Sequence, residues 1–323
     1  MDQLTAIVER IQSQPGFVIT GHYSPDGDCI GSILGLAHGL QRLGKEVQMV
    51  LTDPVPEVYR YLPDSEKIES ATTFQARFSD VIYLDCATED RCGESLALLL
   101  RSTGRYFINI DHHVNNPGYA DLNWVEGEAA ATAILIHRLL CWLGVKIDAV
   151  MAEPICIGII QDTGYFRHSN TSPEILRLVA ELQEQGANLH AIYLRLFESK
   201  SVAELKLLSL AMGSLEVCSE NRIAYMQLRA ADVERLGAKD IFPEDIVNQC
   251  MLAKSVEIGL LFREVASDHI KVSFRSKHEV DVAQIAGTLG GGGHRKAAGV
   301  TIRQEFSTVL EMVLMAVREV IEA

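Results

Sequence analysis

The stretch that decides the fold spans residues 17–28 and reads Phe17-Val18-Ile19-Thr20-Gly21-His22-Tyr23-Ser24-Pro25-Asp26-Gly27-Asp28. Its first four residues form a short apolar run, which predicts a buried strand. A polar turn with proline and glycine follows, and an apolar helical pattern begins at Ile30. In an open α/β sheet, the loops at the carboxyl ends of the strands line the ligand site. One imidazole and two carboxylates in such a turn therefore predict a cation site.

Strand-like and helix-like segments alternate along the first part of the chain, which is typical of a parallel α/β sheet. The strand-like runs are Phe17–Thr20, Val47–Leu51, Val81–Leu84 and Tyr106–Ile110. The helical patterns are Ile30–Leu43, Ala129–Leu143, Ala149–Ile160 and a segment from Pro173 to about Gln185. The last helix has a strong start signal, because a hydroxyl cap precedes a proline in the first turn.

The length of 323 residues exceeds the size at which a single core stops growing, so two domains are expected. A second pattern begins after residue 211. Its strand-like segments are Ile223–Leu228, Val256–Phe262 and Ile270–Phe274, and its helical segments are Pro243–Ala253, Val280–Leu289 and Phe306–Ile321. We therefore expect an N-terminal parallel-sheet domain at residues 1–188, a helical connector at 189–211 and a smaller α+β domain at 212–323.

Composition and charge exclude several classes of protein. The hydrophobic share of 48% supplies material for buried cores and excludes a disordered or fibrous chain. The 29 basic and 43 acidic residues give a net charge of −14, which disfavours a protein that binds long duplex nucleic acid. A basic leader and an apolar run of membrane-spanning length are both missing from the sequence. Seven scattered cysteines without a Cys-x-x-Cys pair favour reduced thiols, so we expect a cytoplasmic protein away from membranes.

Three further apolar segments are followed by acidic or histidine residues. Asp85 follows Val81–Leu84, and Asp111-His112-His113 follows the strand predicted to end at Ile110. Asp162 follows the apolar stretch Ile155–Ile160. A single residue of this kind is usually a cap or a turn residue, but the recurrence at four segments favours one shared site.

The residue types narrow the choice of metal. Carboxylates with imidazoles and without thiolates suit Mn²⁺ or Mg²⁺ better than zinc or copper. Six candidate ligands are too many for one ion with open positions, so we expect two divalent cations about 3.5–4 Å apart that share a carboxylate, Mn²⁺ being favoured over Mg²⁺. The candidates are His22, Asp26, Asp28, Asp85, His112 and Asp162. Without cations these acids would repel one another, so we expect stability to depend on metal.

Four motifs of this chain resemble, in residue type and in order, the motifs of the DHH phosphoesterases. They are His22-x-x-x-Asp26-x-Asp28, Asp85, Asp111-His112-His113 and Asp162. The strand Phe274-Arg275-Ser276-Lys277 and the loop Gly290–Gly293 with His294 resemble the DHH-associated C-terminal domain, so the resemblance covers about residues 15 to 320. It implies an active site in the cleft between the two domains. It also implies that His22 and Asp26 bind one ion, that Asp28, His112 and Asp162 bind the other, and that Asp85 bridges them.

The same resemblance implies roles for residues beyond the metal ligands. Asp111 would orient an imidazole, and His113 would donate to an oxygen of the scissile phosphate. Independently of the family, residues 273–303 hold five bases and two acids, which reverses the sign of the whole chain. The residues expected to bind the substrate's terminal phosphate or nucleotide are Arg275, Ser276, Gly291, Gly292, Gly293 and His294.

The domain content favours one subgroup of this family. Family II pyrophosphatases lack the second domain's signatures, and membrane-bound cyclic-dinucleotide phosphodiesterases carry spanning helices. The expected activity is that of the compact subgroup, a phosphoric ester hydrolase that cleaves short oligoribonucleotides (nanoRNA) to nucleoside 5′-monophosphates and 3′-phosphoadenosine-5′-phosphate (PAP) to AMP and phosphate.

Three alternatives remain at this point. Two are enzymes, namely a phosphodiesterase for linear or cyclic dinucleotides and a RecJ-like single-strand exonuclease. The third is a non-catalytic module that senses a nucleotide or a metal. The expected partners are short single-stranded oligonucleotides and small nucleotides, and the sequence leaves open whether the chain forms a homodimer.

Overall fold

A six-stranded parallel sheet organises the N-terminal part of the chain in the computed structural model, which describes residues 3–103, 106–238 and 246–321. The strand order is β3-β2-β1-β4-β5-β6, and each neighbouring pair is parallel. The four strands expected from the sequence are present, and β3 and β6 are additional. The strands are β1 (Gly16–Thr20), β2 (Glu46–Leu51), β3 (Ile68–Ser70), β4 (Asp80–Leu84), β5 (Tyr106–Asp111) and β6 (Leu122–Val125).

Helices cover both faces of this sheet. Phe17 and Ile19 on β1 belong to a core shared with buried residues of the second, fourth and fifth helices, whereas Val18 faces the opposite core, which includes Leu96 and Leu100 of the third. Both faces of a parallel sheet are normally buried in this way. The helices are α1 (Gln3–Ser13), α2 (Gly27–Arg42), α3 (Glu94–Thr103), α4 (Thr132–Trp142), α5 (Ala149–Asp162), α6 (Pro173–Glu184) and α7 (Leu189–Phe197), with short 3-10 helices at Glu57–Tyr59, Ser65–Lys67 and Glu89–Cys92.

A second, mixed sheet organises the C-terminal part. Its strand order is β11-β12-β10-β9-β8-β7, in which β8 and β9 are parallel and the other neighbours are antiparallel. The elements are α8 (Val202–Gly213), β7 (Glu216–Cys218), β8 (Ile223–Leu228), α9 (Ala230–Arg235), a 3-10 helix (Ile246–Leu252), β9 (Ile258–Ala266), β10 (His269–Ser276), α10 (Val282–Thr288), β11 (Gly292–His294), β12 (Ala297–Ile302) and α11 (Phe306–Ile321). Helices α10 and α11 share one core with this sheet, and α8 and α9 share another.

The chain divides into two units, residues 1–199 and 200–323. The segment expected to connect the domains therefore contains α7 in the first unit and α8 in the second. The helix expected at Pro243–Ala253 is a 3-10 helix from Ile246, and residues 243–245 lie outside the described residues. Within the described ranges, no helix has both the length and the apolar character needed to cross a membrane. All seven cysteines are free.

Candidate metal centre

The strand order determines where the candidate site forms. From β1 the chain continues to β2 and β3 on one side and then crosses to β4 on the other side of β1. Ligand sites in open α/β sheets lie at such a switch point, outside the carboxyl ends of the strands. His22 follows β1 and Asp85 directly follows β4, so residues more than sixty positions apart in sequence meet at this point.

The turn after β1 is held by two carboxylates. Asp26 is the N-cap of α2, and its Oδ1 accepts hydrogen bonds from the backbone N–H groups of Asp28 (3.0 Å) and Cys29 (3.1 Å). Ser24 adopts a left-handed conformation (φ 51°), and its N–H donates to Oδ2 of Asp53 at 2.7 Å. These bonds give the turn one defined conformation, with His22 and Asp28 on either side of it.

The first group of candidate ligands is His22, Asp26 and Asp85. The Nε2 atom of His22 lies 3.6 Å from Oδ1 of Asp26 and 3.4 Å from Oδ2 of Asp85. The Nδ1–H of His22 donates to the carbonyl of Tyr23 at 2.8 Å, which leaves Nε2 to face the two acids. One potential ligand atom from each residue lies within 4.8 Å of the others.

The second group is Asp28, His112 and Asp162. The Nε2 atom of His112 lies 3.9 Å from Oδ2 of Asp28 and 3.1 Å from Oδ2 of Asp162. The same atom lies 3.5 Å from Oδ1 of Asp85. Asp85 therefore directs one carboxylate oxygen toward each of the two imidazoles, and it lies between the two groups.

Asp111 and His113 form a pair that adjoins these groups, since Nδ1 of His113 lies 3.7 Å from Oδ1 of Asp85. The Nδ1–H of His113 donates to Oδ1 of Asp111 at 2.7 Å, and Oδ2 of Asp111 accepts from Asn116 at 2.6 Å. The Asp111 side chain is fully buried, whereas the His113 side chain is 40% exposed. Asp111 thus fixes the ring of His113 with its Nε2 atom available.

The pKa values of the candidate ligands in the first unit are strongly shifted. Burial lowers the pKa of His22, but the hydrogen bonds with Asp26 and Asp85 outweigh it and raise the pKa to about 10. For His112, burial is again outweighed, here by hydrogen bonds with Asp162 and Asp85, and the pKa rises to about 11. Burial and the charges of Asp85 and Asp162 hold the pKa of Asp28 well above its ordinary value.

The neighbouring groups show the same competition. The pKa of Asp85 falls despite its burial, because His112 and His22 hydrogen-bond to the carboxylate. Burial raises the pKa of Asp162, and Asp85 and Asp26 raise it further against the effect of His112. The hydrogen bond to Asp111 raises the pKa of His113. Protons on the imidazoles thus offset the negative charge of the crowded carboxylates. This donor set of carboxylates and imidazoles fits divalent cations, which would displace those protons on binding.

Sequence reasoning missed the residues that hold these ligands. The N–H of Thr132 donates to Oδ2 of Asp28 at 2.6 Å, and the N–H of Ala133 donates to Oδ1 at 2.9 Å. The hydroxyl of Thr132 donates to Oδ1 of Asp85 at 3.0 Å. The amino end of α4 therefore orients Asp28 and Asp85 together. Backbone donors leave no signal in the sequence, so the bonds to Asp28 could not have been predicted, and the Thr132 hydroxyl gives no signal either because its partner lies 47 positions away.

The position of Asp162 depends on a close approach of helices. Asp162 is the last residue of α5, so the carboxyl end of a helix delivers this carboxylate, whereas Asp85 directly follows strand β4 and Asp28 lies in the first turn of α2. Gly158 on α5 backs onto Asp28, and a Cβ atom at Gly158 would lie 2.6 Å from Oδ1 of Asp28. Glycine at this position lets α5 lie against α2 and brings Asp162 to the same site.

The substrate-binding candidates lie in the second unit. Arg275 donates from Nε to Oδ1 of Asn248 (3.1 Å) and from Nη1 to the carbonyl of Phe274 (3.0 Å). The hydroxyl of Ser276 donates to the carbonyl of Val280 at 2.8 Å, so it also holds the local backbone. The register pairs Arg275 with Ala297 and Ala297 with His294. Arg275 and His294 are thus two strands apart, roughly 10 Å, on one line across the sheet.

The glycine-rich segment is partly a strand. Gly292, Gly293 and His294 form β11, which pairs with β12. A Cβ atom at Gly291 would lie 2.3 Å from the carbonyl oxygen of Gly299, whereas a Cβ atom at Gly292 would meet nothing within 4 Å. Gly291 is therefore needed for the close approach of two backbone segments, and Gly292 has an open side.

Known proteins share both units of this chain. Residues 16–159 match the DHH family, N-terminal domain, and residues 243–323 match the DHHA1 domain. The fold and site thus define a two-domain phosphoesterase. The bifunctional oligoribonuclease and PAP phosphatase NrnA of Thermus thermophilus is 35% identical over 319 residues, which covers 98% of this chain and 93% of the relative. The chain belongs to the DHH family.

Solved structures support the same fold. An exopolyphosphatase-related protein from Bacteroides fragilis has a TM-score of 0.90 at 25% identity, covering 98% of this chain and 96% of that one. RecJ of Thermus thermophilus, crystallised in complex with Mn²⁺, has a TM-score of 0.50 at 15% identity, covering 98% of this chain and 54% of RecJ. The α/β architecture expected from the sequence, with a parallel sheet followed by a smaller α+β part, is confirmed.

Proposed function

We propose that this protein is a metal-dependent phosphoesterase that hydrolyses short oligoribonucleotides to nucleoside 5′-monophosphates and PAP to AMP and phosphate. The observation that carries the chemistry is the position of Asp85, with one oxygen toward His22 and the other toward His112. The substrate class is supported by the 35% identity to the Thermus oligoribonuclease and PAP phosphatase along nearly the full length of both chains.

Two divalent cations, with Mn²⁺ favoured, complete this proposal. His22 and Asp26 would bind one ion, Asp28, His112 and Asp162 the other, and Asp85 both. When bound, such a pair supplies an activated water and neutralises charge on the phosphate oxygens. The two donor groups support this assignment, since each brings three ligand atoms within 4.8 Å and Asp85 adjoins both. Mg²⁺ is the alternative ion, because the donor chemistry suits both.

The remaining residues near the cations prepare the substrate. Thr132 and the amino end of α4 orient Asp28 and Asp85, so neither carboxylate must reorganise during the reaction. His113 holds its Nδ1 proton on Asp111 and has Nε2 available. We assign His113 as the donor to a phosphate oxygen or to the leaving group, and Asp111 as the residue that fixes its tautomer.

Residues of the second unit would bind the nucleotide. The proposal assigns this role to Arg275, Ser276, Gly291, Gly292, Gly293 and His294. It is supported by the alignment of Arg275 and His294 across three strands and by the surplus of basic residues between positions 273 and 303. The net charge of −14 favours short single-stranded substrates over long duplexes.

Turnover of a labelled diribonucleotide and of PAP with Mn²⁺ tests the proposal. We expect nucleoside monophosphate from the first and AMP with phosphate from the second, and we expect His112→Ala to abolish both. Arg177→Gln is the matched control, because Arg177 forms an exposed pair with Glu174 on α6. Binding of both compounds by the manganese-loaded protein without turnover would instead identify a nucleotide sensor.

A panel of substrates separates the enzymatic alternatives. Oligonucleotides of two to about two dozen residues, a cyclic dinucleotide and PAP are compared at one Mn²⁺ concentration. The proposal predicts turnover that falls with oligonucleotide length, together with release of phosphate from PAP. Preference for the longest strands would favour a RecJ-like exonuclease, and activity confined to dinucleotides would favour a dinucleotide phosphodiesterase.

A further inference from the structure

An arginine outside all the assigned groups contacts the loop that carries His22. Arg91 is in the 3-10 helix Glu89–Cys92, a few residues after Asp85. Its guanidinium carbon lies 4.5 Å from the centre of the Tyr23 ring, and Tyr23 directly follows His22. The N–H of Tyr23 donates to the carbonyl of Arg91 at 2.6 Å. The loops that carry His22 and Asp85 are therefore joined at Arg91.

In the part of the chain that the structure describes, no carboxylate pairs with the guanidinium of Arg91. Within the described ranges, Arg91 forms no ion pair, although several other arginines of the first unit do. Arg10 pairs with Asp80, Arg42 with Asp148, and Arg101 with Glu89 on the helix that carries Arg91. Burial dominates the raised pKa of the Cys86 thiol, and the charge of Arg91 opposes that rise, so the cation acts on the residue next to Asp85. Among the described residues, Arg91 is thus a cation without an ion-pair partner, and it lies on the loop that follows Asp85.

The tyrosine accounts for this arrangement. A guanidinium over an aromatic ring is attracted to the ring face, and the interaction uses the plane of the group and leaves its N–H edge available. That edge presents donors in a fork that matches phosphate geometry. Tyr23 is 41% exposed and Arg91 is half-buried, so an anion can reach them from solvent. An exposed tyrosine next to a ligand histidine thereby acquires a role as the support for an anion-binding group.

We propose that Arg91, held by the ring of Tyr23, donates hydrogen bonds to a non-bridging oxygen of the phosphate that is hydrolysed. Because Arg91 joins the loops of His22 and Asp85, it acts on the phosphate at the metal centre, whereas Arg275 is assigned to the nucleotide's other end. Arg91 is a substrate-binding residue in this scheme, and Tyr23 is a positioning residue. The inference rests on the proposed phosphoesterase function.

Kinetics and direct binding on the manganese-loaded full-length protein test this inference. The substrates are a diribonucleotide and bis(p-nitrophenyl) phosphate, which has no nucleoside, and calorimetry measures the Kd of inorganic phosphate. Arg91→Gln should lower kcat/KM about 10- to 100-fold on both substrates and weaken phosphate binding, because a hydrogen bond to a charged group is lost. Arg91→Lys should recover part of this loss. Arg177→Gln, an exposed arginine elsewhere in the first unit, should match the wild type.

The role of Tyr23 is tested by a conservative pair of variants. Tyr23→Phe keeps the ring and should retain nearly all activity and phosphate binding, whereas Tyr23→Leu should approach Arg91→Gln. Melting temperature and manganese content are measured for every variant. If Arg91→Gln does not fold, Arg91→Lys tests the inference in its place. A single ammonium cannot reproduce the fork of donors, so kcat/KM of this variant should still fall several-fold.

The outcomes separate this inference from the function on which it rests. Unchanged phosphate Kd and unchanged kcat/KM in Arg91→Gln would overturn the role of Arg91 while the phosphoesterase function stands. A loss on the diribonucleotide alone would also overturn it, because the residue would then bind the nucleoside or a second phosphate. If the wild type hydrolyses nothing, the proposed function fails, and the phosphate Kd of the Arg91 variants alone decides whether this anion site exists.

Discussion

The hydroxyl of Thr132 donates to Oδ1 of Asp85 at 3.0 Å, the same oxygen that faces His112. This bond connects the first residue of α4 to the carboxylate that lies between the two ligand groups. Because the Thr132 N–H also holds Asp28, a single residue fixes one carboxylate that follows β4 and another at the start of α2. Removal of the hydroxyl alone should therefore affect the geometry of the metal centre while the helix stays in place.

Thr132→Val should weaken Mn²⁺ binding or lower kcat, in either case about 10- to 100-fold. This is the usual effect of losing a group that orients a metal ligand. Thr132→Ser keeps the hydroxyl and the backbone N–H, so it should remain close to the wild type. Calorimetric titration with Mn²⁺ and the dependence of kcat on Mn²⁺ concentration measure this effect. Equal affinities in the valine and serine variants would show that the hydroxyl has no such role.

Removal of divalent cations should lower the stability of the first unit. A ligand that binds the folded state alone stabilises it by about 2.7 kcal/mol at a hundred times its Kd. The melting temperature should therefore fall in chelator and recover with Mn²⁺. Asp85→Ala should melt at the same temperature in chelator and in Mn²⁺, because both proposed ion positions lose their shared ligand. An unchanged wild-type midpoint in chelator would contradict the two-cation assignment.

The metal-free protein should become less stable as the pH rises from about 6.5 to about 10. The pKa of His22 is raised to about 10 and that of His112 to about 11, so their protonated forms stabilise the fold. This contribution is complete below their ordinary pKa of 6.5 and is lost as the pH rises through the folded values. The raised pKa of Asp28 acts in the same direction, because its ionisation disfavours the folded state.

Urea unfolding in chelator at pH 6.5 and pH 9 measures this dependence. The free energy of unfolding of His112→Gln should fall less between the two pH values than that of the wild type, since one of the two imidazoles with a raised pKa is gone. A free energy of unfolding that rises with pH in the metal-free wild type would mean that these imidazoles are neutral in the fold.

Arg275→Ala should raise KM for nucleotide substrates about 10- to 100-fold and change kcat much less. The same variant should have little effect on bis(p-nitrophenyl) phosphate, which lacks a nucleoside. Asn248→Ala should show a smaller effect in the same direction, because Asn248 accepts from Nε of Arg275 and orients the guanidinium. A loss of kcat on the chromogenic substrate that equals the loss on nucleotides would remove Arg275 from nucleotide binding.

Gly291→Ala should destabilise the second unit by about 1–3 kcal/mol, because the added methyl group would meet the backbone of Gly299 and force strands apart. Gly292→Ala is a matched control one residue away, since nothing lies within 4 Å of its Cβ position. Urea unfolding monitors both variants. Equal stabilities would show that the backbone at Gly291 can shift without cost.

Much of the fold followed from the sequence, because the N-terminal strands are short apolar runs and α6 begins at the predicted hydroxyl cap, Ser172. The helix at Phe306–Ile321 has the predicted bounds, since apolar residues repeat along one face. Short or polar elements were not anticipated. The strand Ile68–Ser70 is mostly exposed and three residues long, and Gly292–His294 contains two glycines, so neither carries a β signal.

Some residues of the candidate site could be predicted from the sequence, and others could not. Side chains with distinctive chemistry, such as His22 and Asp85, could be singled out because carboxylates and imidazoles follow apolar segments. Asp28 is held by the backbone amides of Thr132 and Ala133 at a helix end, which any sequence could supply. The Thr132 hydroxyl reaches Asp85 across 47 positions of sequence, and no local pattern encodes that contact. Arg91 escaped attention because an arginine in a polar loop is usually an exposed surface residue. Its position over Tyr23 depends on a contact between loops that no local pattern encodes.

The strand order β3-β2-β1-β4-β5-β6 also has a consequence for folding kinetics. The proposed ligands come from four chain segments between His22 and Asp162, so a complete cation site forms only when most of the first unit has assembled. Contacts of such long sequence separation form late, and interactions absent from the transition state act mainly on the unfolding rate. Bound cations should thus prolong the lifetime of the native state and leave the rate of folding nearly unchanged.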